Sequence, residues 1–209
     1  MISFNFNDRY ITFNLTSEKG LVKTGDSILI AGKYFQLEKV RFYISNLKLL
    51  NNDLEVYKDV EMARLFDFKN VSEIKIPLNI EDNFNRVEFT LGIDSTINCS
   101  GAYGGDLDPT NGMYWSWQSG YINFKAEAKS IDQKEQLTYH LGGYKKDELC
   151  AQKVVLDVKN SENVNVSLQI DELLKAFYNT NYKKLMIPGE QAVAFSKIAA
   201  KHFIVQTKN

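Results

Sequence analysis

Proline, histidine, cysteine and tryptophan are all scarce in this 209-residue chain, with three, two, two and two copies respectively. Each scarcity excludes something. With His140 and His202 as the whole supply of imidazoles, multi-histidine metal cages and hydrolytic triads have little material. Cys99 and Cys150 are too few for a disulfide-dense scaffold or a four-cysteine zinc site, and counting leaves one bridge and two buried thiols equally open. No run of about 18 apolar residues occurs, so no transmembrane helix is expected. A formal charge of −1 leaves no basic footprint for nucleic acid. Phosphate-cradling glycine loops, G-x-S-x-G elbows, H-E-x-x-H and C-x-x-C are all missing, and a non-enzymatic protein is expected.

What is plentiful is Thr, Val, Ile, Tyr and Phe, which favours strands. Residues 2–14 alternate apolar and polar from the outset. No charged leader followed by an apolar stretch precedes them, so the protein is either cytosolic or trimmed of an export signal. The stretch from Ser27 to Leu50 reads as two strands around a bend near Gly32, and residues 54–68 are ambiguous between strand and connection. Segments 73–80, 86–93, 122–128, 136–143, 153–159 and 163–170 alternate again, with Pro77 marking an edge because it lacks a ladder donor. A short helix over ELLKAF, capped by Asp171, and a second over 189–203 follow. The expected fold is mainly β, an antiparallel β-sandwich with one or two short C-terminal helices, forming a single domain over 1–209 and less than a fifth helical.

The most irregular window is YGGDLDPTNGMYWSWQSGYINF, residues 103–124, which holds both tryptophans. Asp106, Asp108 and Asn111 alternate there as oxygen ligands of a hard cation do, but the distal ligands of a calcium loop are missing and turn capping is the better reading. Strand alternation puts Met113, Trp115 and Trp117 on one face and Tyr114 on the other. The two indoles suit a stacking platform for a sugar or base, but a buried position in the sandwich core is the commoner fate. His140, in LTYHLGG, faces away from Leu137, Tyr139 and Leu141, whereas His202 lies on the apolar stripe of the last helix.

Taken together, YISNLKL (43–49), FTLGID (89–94), GDLDPTNGMYWSWQSGYINFKAE (105–127), YHLGG (139–143) and MIPGEQAVAFSKIAAKHF (186–203) resemble the MbnP-like copper-binding protein family. The M-x-W-x-W-x-x-G-Y block followed by H-L-G is the most specific part. The resemblance implies an exported, periplasmic or cell-surface β-rich protein that binds copper. In some members a tryptophan is oxidised to kynurenine by a partner haem peroxidase, and a copper-acquisition partner is implied as well. Residue by residue, Trp115 and Trp117 match the paired tryptophans and His140 the H-L-G histidine, with Met113 and His202 as candidate helpers at the metal. Copper binders of this kind use two histidines near the aromatic site, so weak binding is expected here. Export would favour a Cys99–Cys150 disulfide. The alternative is a metal-free surface module recognising a glycan or a protein.

The short connection Ser130–Glu135 predicts a hairpin whose cross-strand partners sum to about 265, which sets His140 opposite Lys125 rather than opposite Trp117. A shared site therefore requires the tryptophan-bearing end to curl over the H-L-G turn.

Overall fold

The computed structural model describes residues 9–116, 120–159 and 163–206. Trp117, and the part of the first alternating segment before Arg9, lie outside the described residues. In chain order the elements are β1 (Arg9–Ser17), β2 (Gly20–Leu21), β3 (Ser27–Ile30), β4 (Lys33–Asn51), β5 (Leu54–Lys58), β6 (Ala63–Asp67), β7 (Glu73–Leu78), β8 (Arg86–Leu91) and α1 (Ser95–Cys99). They continue with β9 (Tyr114–Ser116), β10 (Gly120–Ser130), β11 (Gln136–Gly142), β12 (Gln152–Asp157), β13 (Val164–Gln169), α2 (Ile170–Tyr178), β14 (Lys184–Leu185), α3 (Glu190–Lys201) and β15 (Phe203–Gln206). Helices make up 18% of the protein, under the expected fifth.

Two sheets face each other. The smaller runs β15-β13-β1, with β7 and β2 along the far edge of β1. The larger runs β12-β8-β4-β10-β11-β14, with β3, β6 and β5 along the other edge of β4 and β9 folded back on β10. Most pairs are antiparallel as expected, but β1 pairs β13 in parallel, from Ile11–Val164 to Thr16–Gln169. A parallel partner must come from a crossover rather than a hairpin, so alternation within each strand could not reveal it. The ambiguous 54–68 stretch resolves into β5 and β6, each too short to carry a periodic signal.

The core between the sheets is aromatic. Phe13 of the smaller sheet meets Phe66 and Phe89 edge-on at 4.8 and 5.5 Å, and Phe203 meets Phe42 and Phe89 at 5.5 and 5.3 Å. Edge-to-face rings at these separations add about 0.5–1.5 kcal/mol per pair beyond the area they bury. Helices α2 and α3 pack together through Phe177 and Phe195, 4.5 Å apart, and both rings rest on Tyr139 of β11. Helix α2 starts two residues earlier than expected, at Ile170, so Asp171 is not its cap. Its carboxylate instead accepts the Glu18 N–H at 2.8 Å. The helix α1 was not anticipated, although Asp94 caps it by accepting the Ile97 N–H.

Strand β4 is 19 residues long because it changes partners midway. It pairs β10 through Phe42 and β8 from Ile44 onward, with a register shift between Ser45 and Lys48 and a left-handed Asn46 at φ 52°. The chain leaving β8 plugs this junction: the Gly92 N–H donates to Tyr43 O at 2.7 Å and Ser45 Oγ donates to Gly92 O at 2.8 Å. Gly92 has φ 103°, and a Cβ there would sit 2.6 Å from Asn123 Cγ, so glycine is the residue this junction accepts.

Candidate functional site

Alternation fixes the two faces of the large sheet. Phe42, Phe124, Ala126, Tyr139 and Leu141 point inward, and Lys39, Arg41, Lys125, Glu127, Thr138 and His140 point outward. An outward row of this kind normally meets water. Here an arm of residues 103–116 lies across it, and His140 and Lys125 are buried at 7% and 8% exposure.

The arm is gripped by its backbone carbonyls. Arg41 donates to Asn111 O at 2.8 Å while its other terminal nitrogen pairs with Asp67 at 2.6 Å, and Lys125 donates to Gly112 O at 2.5 Å. Tyr43 and Tyr121 hydroxyls donate to Asp106 O and Leu107 O at 2.9 and 2.7 Å. The Asp106 carboxylate accepts the Leu65 N–H, Asp108 accepts the Thr110 N–H, and the Asn111 amide donates to Gly105 O. Asp108 and Asn111 therefore hold the loop's turns, as capping groups do, while Asp106 ties the loop to β6, and among the described residues no group of three or more His, Cys, Asp or Glu is arranged to hold a metal.

Past Gly112 the arm turns apolar. Met113 is fully buried in a small cluster with Tyr43, Ile93, Leu107, Tyr121 and Ile122, and Tyr114 and Trp115 pack against it. Strand β9 then folds back on β10, with Tyr121 opposite Tyr114. This brings the Trp115 ring over Gly142, its Cζ3 3.0 Å from where a Cβ of residue 142 would stand. Gly142 is two residues beyond His140 on β11, so the indole covers the neighbouring position on the same face, roughly 7 Å along the strand. The curl over the H-L-G turn that a shared site requires is present, and the predicted register holds, with His140 opposite Lys125.

His140 Nε2 lies 2.7 Å from Glu127 Oε1, and the other carboxylate oxygen pairs with Lys39 at 3.2 Å. Burial lowers the His140 pKa, with Glu127 pulling the other way and Lys125 and Lys39 adding to the drop. Glu127 is pushed up by burial, but its bonds to His140 and Lys39 outweigh this and hold it below the usual carboxylate range. Burial also lowers the Lys125 pKa, helped by Lys39 and Arg41. The pair is thus a neutral imidazole beside an ionised carboxylate near pH 7.

The other expected members fall elsewhere. His202 caps the end of α3, its Nδ1 2.9 Å from Ile198 O. Because α3 rests on Tyr139, it lies on the inner side of the sheet, opposite His140, and its expected role as a helper at the metal gives way to a helix-end role. The expected disulfide is not formed: Cys99 is exposed on α1, whereas Cys150 is buried with its thiol donating to Gly142 O at 3.2 Å. Burial pushes the Cys150 thiol up to about 11, which keeps it protonated and unreactive. Sequence reasoning missed Glu127 and Arg41. The signal for Glu127 was available in the hairpin register, which sets it opposite Thr138 and hence diagonal to His140.

These features define a two-sheet β-sandwich whose outer sheet face carries a largely buried histidine–carboxylate pair beside an aromatic arm. The chain belongs to the MbnP family, whose model matches residues 2–192. Among solved structures it is similar to MbnP from Methylosinus trichosporium, with 15% identity over 80% of this chain and 77% of that one and a TM-score of 0.59, a likeness of fold. No curated protein matches the chain.

Proposed function

We propose that the protein is an exported, non-enzymatic member of the MbnP family that binds copper on the roofed face of its larger sheet, with His140 as nitrogen donor beside Trp115. The observation that supports this most is the Trp115 ring over Gly142, one same-face position from His140. Imidazole suits both copper oxidation states, and the buried thioether of Met113, in the cluster against which Trp115 packs, is a soft donor of the kind Cu(I) prefers. One imidazole on this face, rather than two, argues for weak binding. Oxidation of a tryptophan to kynurenine by a haem peroxidase partner belongs to the same reading and is checked by intact mass of protein from its native compartment.

Isothermal titration of Cu(I) and Cu(II) into wild type, His140→Ala and Met113→Leu tests the site. One weak equivalent that disappears in His140→Ala is expected, and binding that survives that substitution overturns it. A metal-free recognition module is the second reading. It is favoured by a cleft of about 520 Å³ between Val60–Arg64 and Gly104–Leu107, where Val60 and Met62 are exposed. Glycan or peptide binding abolished by Met62→Asp, with copper ignored by wild type, would favour it.

A further inference from the structure

The outer face contains one contact that holding the arm does not require. Glu127 touches none of the arm's carbonyls. Its two oxygens reach His140 Nε2 and Lys39 Nζ, and its side chain is only 16% exposed. A carboxylate accepts hydrogen bonds and cannot donate one, so the proton of a neutral His140 must sit on Nε2. His140 Nδ1 has no hydrogen-bond partner among the described residues. Lys125, directly across the ladder, cannot compete for the ring because its ammonium is drawn away to Gly112 O.

We infer that Glu127 is a positioning residue: it fixes His140 in the Nε2–H tautomer and ring orientation, so that Nδ1 is the atom presented to an electron-pair acceptor such as copper. This rests on the copper reading of the site. The arrangement is the one in which a metal-bound imidazole donates its remaining N–H to a carboxylate, and loss of such a partner typically weakens metal binding about 10–100-fold. Lys39 holds the other oxygen of the same carboxylate, which limits its rotation away from the ring.

The test uses nitrogen-15 NMR of the histidine ring in wild type, Glu127→Gln and Glu127→Leu, first without metal and then with Cu(I), which is diamagnetic. Without metal, wild type should show a slowly exchanging Nε2–H resonance. It should persist in Glu127→Gln, whose amide oxygen still accepts, and vanish in Glu127→Leu. Persistence in Glu127→Leu, in protein whose other resonances are native, overturns the positioning role. With Cu(I), the Nδ1 resonance of His140 should move while the Nε2–H is retained, and Glu127→Leu should bind about 10–100-fold more weakly. A shift at Nε2 with loss of its proton overturns the inference and leaves copper binding standing. If wild type takes up no Cu(I), the copper reading fails, and the metal-free spectra still decide whether Glu127 holds the ring.

Discussion

The two faces of the ten-stranded sheet are built from the same strands by opposite means. The inner face is covered by another sheet and two helices through apolar contacts, with Phe13, Phe42, Phe89 and Phe203 meeting edge-on at its centre. The outer face is covered by a length of irregular chain, whose carbonyls are held by Arg41, Lys125, Tyr43 and Tyr121. Apolar contact is undirected and tolerates any cover of the right shape. A grip on individual carbonyls specifies which loop lies there and in what position, so the outer face is suited to holding Trp115 and His140 in a set relation.

The contrast predicts unequal responses to substitution. Phe42→Ala should cost the most, about 3–5 kcal/mol, since a ring touching four others is removed from the inner face. Urea denaturation reads it, and a loss under about 1 kcal/mol would break the distinction between the faces. Gly142→Ala comes next. Its new methyl would stand 2.5 Å from Tyr121 O and 3.0 Å from Trp115 Cζ3, so the β10 backbone and the Trp115 ring must both shift, at about 2–3 kcal/mol and with a changed tryptophan emission. Unchanged fluorescence would mean that Trp115 does not rest there.

Lys125→Met should cost about 1–2 kcal/mol by leaving Gly112 O without its donor. Proteolysis within residues 103–116 should rise while the inner core stays intact, and equal loosening of both would argue against an independently held arm. The smallest effect is on pH dependence. His140 has a lowered pKa in the folded protein, so the unfolded chain takes up the proton first, and stability falls as pH drops below about 6.5 toward the folded value. Glu127, also lowered, contributes a second loss as pH falls below the ordinary carboxylate range through its folded value. His140→Gln should flatten the upper part of the curve and, by altering one of the bonds that hold Glu127 low, shrink the lower part. A stability curve of identical shape in the variant would remove His140 from this account.

Much of the core between the sheets was legible in the sequence because alternation is a local signal: Ile74 and Ile76 of the smaller sheet, or Val87, Phe89 and Leu91 of the larger, declare their face within a few residues. The hairpin register was legible too, since the Ser130–Glu135 turn fixes it, and it correctly sets His140 across from Lys125. The arm across the outer face was not. It depends on Arg41 meeting Asn111, 70 residues later, and on β4 changing partners at a left-handed Asn46. Alternation alone makes His140 a surface residue. Its 7% exposure is a property of the folded chain that no spacing within LTYHLGG encodes.

The parallel pairing of β1 with β13 bears on how the molecule assembles. Asn14 and Ser167, which share a buried hydrogen bond, are 153 residues apart. Contacts of such separation carry a large loop-closure cost before they return anything, and chains dominated by them fold slowly. While β13 is still unmade, one edge of β1 offers an unsatisfied row of amides and carbonyls, with Ile11, Phe13 and Leu15 uncovered alongside it. Such an edge recruits other strands readily. The period between synthesis of β1 and arrival of β13 is therefore when this protein is most exposed to misassembly, and when a chaperone that shields strand edges would raise its yield most.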